Sequence, residues 1–208
     1  MGILILALLS SCGDDENTNN INAVAEDFEQ ISDRYPYEEL EPSMEVDYWE
    51  LIYSTDFQVE DILVSSGTKC QNASPQDDCI FQFDSFENNE EGFAEDCLPD
   101  FCFYYIKYNI GNETLVAANP RSVRDFLGTI NTRSDAILLV FSNDYRFSTD
   151  IKEVGGIRKI PSGYELLVTK LISTCNPLRI DRFHLKVGID GKIDILGSEI
   201  YDISDDCI

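Results

Sequence analysis

The chain has little of what most catalytic and nucleic-acid chemistry uses. Its 208 residues include one histidine, His184, one tryptophan, Trp49, and two methionines. Cations are scarce as well: 15 Lys and Arg stand against 39 Asp and Glu, a formal charge of −24 at pH 7. Phosphate backbones are gripped by clustered Lys and Arg, so a chain of this charge repels nucleic acid and no such partner is expected. No apolar run comes near the roughly 20 residues that cross a bilayer as a helix. No Gly-x-Ser-x-Gly elbow, phosphate loop or dinucleotide fingerprint occurs. Gly155-Gly156 is an isolated pair that reads as a bulge or turn.

What is present suffices for a core. Hydrophobic residues make up 43% and aromatics 11% of the chain, which excludes disorder over its full length. The charge is unevenly placed. Residues 14–100 carry 25 acidic and 2 basic side chains, Arg34 and Lys69, whereas residues 101–208 carry 14 and 13.

The apolar run Gly2 to Leu9 is too short to span a membrane and has the length of a secretory h-region. No Lys or Arg precedes it, as expected if the true start lies upstream. Leu9-Ser10-Ser11-Cys12 resembles the lipobox of bacterial lipoproteins, in which the cysteine is lipidated and becomes the first mature residue. The resemblance implies a signal peptide over residues 1–11, lipidation of Cys12, and a membrane partner through the lipid anchor. The polar stretch Gly13 to Asn20 reads as a solvated tether. Its acidic cluster behind Cys12 is similar to the export signal of Bacteroidetes surface lipoproteins. The expected location is the bacterial cell envelope, at the outer membrane on its periplasmic or surface face.

Apart from Cys12, six cysteines remain, an even number that in an exported chain reads as a disulfide framework. Spacing favours sequential pairing: Cys70 with Cys79 around a polar Pro-containing loop, Cys97 with Cys102 around a turn, and Cys175 with Cys207. Zinc sites favour Cys-x2-Cys spacing with histidine among the ligands, and neither that spacing nor a redox Cys-x-x-Cys occurs.

Ile21, Val24, Phe28 and Ile31 fall at helical spacing, predicting a short helix over 21–33 that Tyr35-Pro36 ends. Residues 12–44 are thus expected to form an acidic tether with a short helix. Val46 to Tyr53 alternates as a strand, Asp56 to Ser66 is helix or strand stopped by Gly67, and Ile80-Phe81-Gln82-Phe83 reads as a short strand. Glu87 to Asp96 reads as an acidic loop. Phe101 to Asn109 reads as a buried strand, turning at Gly111-Asn112 into Thr114 to Ala118. Asn119 and Pro120 open a helix to Leu127 that Gly128 closes, and a second helix covers Ser134 to Asn143. Strands follow at Tyr164 to Thr174, Arg182 to Ile189 and Lys192 to Tyr201, the last two joined by the hairpin signal Asp190-Gly191. The expected fold is a single α+β domain over residues 45–208, mainly antiparallel sheet with two inserted helices and stabilised by disulfides.

The run Ser122 to Ala136, centred on Phe126-Leu127-Gly128-Thr129-Ile130-Asn131-Thr132, is similar to a segment of uncharacterised exported bacterial proteins. Gly163-Tyr164-Glu165-Leu166, Cys175-Asn176-Pro177 and Gly191-Lys192-Ile193 fit the same layout. That resemblance supports the fold and the disulfides and implies no activity.

Candidates for chemistry are few. His184 lies opposite the core face of its strand, between Arg182 and Lys186, where it reads as a solvated residue. No catalytic residue is assigned. No cofactor is expected. Calcium is the ion the acids suit best, at Asp77-Asp78, Glu90-Glu91, Glu95-Asp96 or Asp205-Asp206, although none follows the EF-hand pattern. Tyr35, Tyr37, Tyr48 and Trp49, interleaved with acids, form a candidate face for a glycan or an envelope protein. The sequence therefore predicts a non-catalytic binding or structural module, with a glycan-acting hydrolase using paired carboxylates as the alternative.

Overall fold

A computed structural model describes residues 25–55, 60–88, 92–94 and 102–207. Strands β1 (Glu29–Gln30), β6 (Gly156–Ile160), β7 (Gly163–Thr174), β8 (Leu178–Gly188) and β9 (Ile193–Ser204) form one antiparallel sheet, ordered as they are numbered. Strands β2 (Tyr48–Thr55), β3 (Glu60–Gly67), β4 (Cys102–Ile110) and β5 (Glu113–Ala117) form a second, ordered β3-β2-β4-β5. Helices α1 (Gln76–Asp84), α2 (Pro120–Leu127) and α3 (Arg133–Ser142) complete the described elements. This is the α+β class expected.

Strand alternation decides which side chains enter the core. Trp49 and Leu51 of β2, with Tyr104 and Ile106 of β4, join Leu166, Val168, Phe183 and Leu185 of the other sheet in one cluster. Helix α3 lies within that cluster. Every residue from Ser134 to Ser142 is buried, so the helix is apolar nearly all round and enclosed by protein. Helix α2 begins as expected. The Asn119 side chain accepts from the Ser122 amide at 3.0 Å, and Ser122 Oγ accepts from the Asn119 amide at 3.1 Å. Its Phe126 packs 6.0 Å from Trp49 and 5.2 Å from Tyr108.

Three local expectations are corrected. Ile80 to Phe83 lies inside α1 and is not a strand. A short apolar run has no period of its own. Here Cys79 and Phe83, one helical turn apart, are buried while Phe81 is exposed, and Asp77 and Asp78 stand in the first turn, where the helix dipole favours them. The helix expected over 21–33 is a single 3-10 turn at Ala25–Asp27, followed by β1 pairing with β6; residues before 25 lie outside the described part. Residues 25–44, expected as tether, contribute Phe28, Ile31, Tyr37 and Leu40 to the buried apolar clusters.

The Gly155-Gly156 pair sits where a 3-10 turn enters β6. A Cβ on Gly155 would lie 1.8 Å from the Ser148 carbonyl oxygen, so the backbone approach itself requires glycine.

Disulfides join Cys70 to Cys79 and Cys175 to Cys207, both as expected. Cys102 is also disulfide-bonded, whereas its expected partner Cys97 lies outside the described residues, as does the lipidation candidate Cys12.

Candidate functional site

Two charged clusters are closed by the chain itself. On the outer face of the five-stranded sheet, His184 Nε2 lies 2.8 Å from Glu165 Oε2, which also accepts from Arg158 Nη2 at 2.6 Å. A carboxylate only accepts, so Nε2 carries the proton in this contact. Burial pushes the Glu165 carboxyl up, but the hydrogen bonds from His184 and Arg158 outweigh it and hold the group below the usual carboxylate value. Phe28 covers the cluster, with its ring 5.7 Å from that of His184 and 4.6 Å from the Arg158 guanidinium. His184 is on the face expected but is buried, because the segment before β1 folds back over it.

The second cluster is on the outer face of the other sheet. Glu50, buried, lies 3.4 Å from the ammonium groups of both Lys107 and Lys69 and accepts from the Tyr48 hydroxyl at 2.9 Å. Helix α1 covers it through Phe83, whose ring lies 4.6 Å from the Lys107 nitrogen. Each charge here has its counter-charge, which is how a sheet face carries buried ions.

Two of the grooves open to solvent are lined by both charged and aromatic side chains among the described residues. One, of about 420 Å³, lies at the start of α3 and is lined by Glu29, Glu39, Arg133, Arg158, Lys159 and Tyr164, among others. Its cations are offset by acids of its own, Arg133 Nη1 lying 3.7 Å from Glu29 Oε2. Glu29 and Glu39 are both exposed, whereas a general acid for glycoside cleavage is a carboxyl held in an enclosed, apolar place.

The other groove, of about 380 Å³, is lined by Tyr35, Tyr37, Tyr104, Phe141 and Phe147 together with the guanidinium groups of Arg34 and Arg146. No acid occurs among the described residues that line it. Arg34 lies over the Tyr35 ring at 5.3 Å, and Arg146 over Phe141 at 4.8 Å, so each guanidinium is stacked on an aromatic side chain.

The groove is built from local geometry. The Tyr35 amide donates to Asp33 Oδ1 at 2.9 Å, turning the chain there. Ser134 Oγ donates to the Pro36 carbonyl at 2.7 Å, and Asp135 accepts from the Glu41 amide at 3.0 Å, so the start of α3 fixes the segment bearing Tyr35 and Tyr37. On the opposite wall, Arg146 and Thr169 exchange backbone hydrogen bonds of 2.8 Å, fixing the 146–149 segment to β7.

Of the four aromatics singled out in the sequence, the structure brings two together here. Tyr35 and Tyr37 share the groove, Tyr48 stands against Phe83 on the other sheet, and Trp49 is a core residue. The remaining lining residues come from distant segments. Arg34 carried one signal, being the first cation of a chain with only two before residue 101. Among the described residues no three His, Cys, Asp or Glu gather as a metal ion requires. Asp77 and Asp78 serve the first turn of α1, and Glu90, Glu91, Glu95 and Asp96 lie outside the described part. None of the described helices is long and apolar enough to cross a membrane.

The fold and groove define an α+β domain with a solvent-open aromatic cleft. No family model matches the chain, no curated protein matches it, and no solved structure matches it.

Proposed function

We propose that this chain is a lipid-anchored protein of the bacterial cell envelope, held through Cys12, whose domain is a non-catalytic binding module. The lipobox-like Leu9-Ser10-Ser11-Cys12 behind an apolar run supports the anchor. The disulfides agree with an oxidising compartment. The binding reading rests on one observation: a groove of about 380 Å³, lined by Tyr35, Tyr37, Tyr104, Phe141 and Phe147 with Arg34 at its rim, is open to solvent. A cleft lined by aromatic side chains with a few polar groups at its edge is the form that small-ligand sites take.

Metabolic labelling with a radioactive fatty acid tests the anchor. Label appears on the wild type and is absent from Cys12→Ala; label retained by that variant contradicts the anchor. For binding, residues 13–208 are immobilised and exposed to envelope extract. Wild type retains a component that an Arg34→Glu/Tyr35→Ala variant of equal melting temperature releases. Equal retention by the two refutes the groove.

A further inference from the structure

We infer that strand β9 pairs with β9 of a second copy of this chain, antiparallel and about a twofold axis at Ser198; the inference is independent of the groove. β9 ends the five-stranded sheet, and no described strand pairs with its outer edge. Its apolar side chains are exposed: Ile195, Ile200 and Ile203 at 57%, 51% and 53%, and Leu196 and Tyr201 at 38% and 42%. An edge strand is commonly protected by charge that keeps other chains off. Here Glu199 is held by Arg182 at 2.6 Å and Asp194 by Lys192 at 2.6 Å, so both acids between Ile193 and Tyr201 have a counter-charge on their own chain.

The order of residues selects the same strand as the occupant. A twofold interface is self-complementary: where one residue meets a second, the second meets the first. The run Ile193-Asp194-Ile195-Leu196-Gly197-Ser198-Glu199-Ile200-Tyr201-Asp202-Ile203 reads nearly alike from either end about Ser198. In that register Leu196 meets Ile200, Ile195 meets Tyr201 and Ile193 meets Ile203, and symmetry forms each pair twice. Gly197 and Ser198 are small and lie at the axis, where the two backbones approach. Leu196 and Tyr201, the residues extra to the pairing with β8, fall on either side of Ser198, so the bends of the two strands come nearly opposite each other. The one like-charge match, Asp194 with Asp202, has the Lys192 ammonium beside it. An edge of this length, roughly 35 Å, buries on the order of 1,000 Å² over two copies, the lower limit for a specific interface, so a micromolar dimer is expected.

Sedimentation equilibrium of residues 13–208, which include every described residue, tests the pairing in roughly 0.15 M salt, where repulsion between the acidic chains is screened. The mass is expected to rise from one chain towards two between about 1 and 100 µM. Ile200→Lys changes a half-exposed position that the fold tolerates, and symmetry sets its charge in two apolar pairs. It is expected to weaken the dimer about tenfold or more, with the circular dichroism spectrum unchanged. Ser198→Cys, on the axis, is expected to give a disulfide-linked pair of chains when diamide oxidises the two thiols, whereas Glu113→Cys on the β5 edge is not. A single-chain mass at about 100 µM overturns the pairing. A dimer that Ile200→Lys leaves unchanged, or that Ser198→Cys does not link, is formed elsewhere on the surface and overturns it equally.

Discussion

His184 and Glu165 meet at 2.8 Å on the outer face of the five-stranded sheet, beneath the ring of Phe28. The contact explains why the one histidine of the chain is buried away from the core, and it sets an acid sensitivity. The Glu165 carboxyl is held below its unfolded value, so its pairing stabilises the fold above about pH 4.3 and is lost as pH falls through the lowered folded value. Glu165→Gln is expected to cost about 1–3 kcal/mol at pH 7. Urea unfolding of both proteins at pH 7 and pH 3 checks this: the deficit shrinks in acid. An undiminished deficit at pH 3 would show that it does not come from ionisation.

Asp135 links the start of α3 to the groove. Burial pushes its carboxyl up, although the amides of Glu41, Thr132 and Asn131 donate to it and pull the other way. Asp135→Ala removes that acceptor for all three amides, and the expected loss is about 2 kcal/mol. Hydrogen exchange should rise at Glu41, Asn131 and Thr132, with the β7 and β8 amides unaffected. Uniform acceleration across the domain would mean that Asp135 does not hold this segment in particular.

Glu50 and Lys107 form a buried pair whose value depends on both members. Lys107→Met removes one of the two cations 3.4 Å from a buried carboxylate, at an expected cost of about 3 kcal/mol. The double variant Glu50→Leu/Lys107→Met is expected to recover most of that loss. Denaturant midpoints of the wild type, Lys107→Met, Glu50→Leu and the double variant give the coupling. Additive losses would show that the two charges are independent.

Much of the fold was legible because the signals were local. Asn119-Pro120 and Gly128 bracket α2, and Asp190-Gly191 marks the turn between β8 and β9; each acts within a few residues of itself. Ile80 to Phe83 misled because four apolar residues have no period, and only Phe83 packing against Tyr48 and beneath Lys107 makes the run helical. Strand β6 carries no clear signal in the sequence, because its five residues, Gly156 to Ile160, alternate weakly and owe their state to pairing with β7. The groove was half legible. Tyr35 and Tyr37 stand out as aromatics among acids, but Arg146, Phe141 and Tyr104 reach them only through tertiary contact, about a hundred residues further along the chain for Arg146 and Phe141 and nearly seventy for Tyr104.

The groove lined by Tyr35, Tyr37 and Phe147 is the place proposed for this domain to meet its ligand. Photo-crosslinking in intact cells tests it whatever the chemical nature of that ligand. A benzophenone amino acid is placed at Phe147, in the groove, and separately at Ile200, on the exposed edge strand β9. An adduct is expected from position 147 that disappears with Arg34→Glu/Tyr35→Ala, and none of matching mass from position 200. An adduct from position 147 that survives the double substitution, or one formed only from position 200, would contradict this placement.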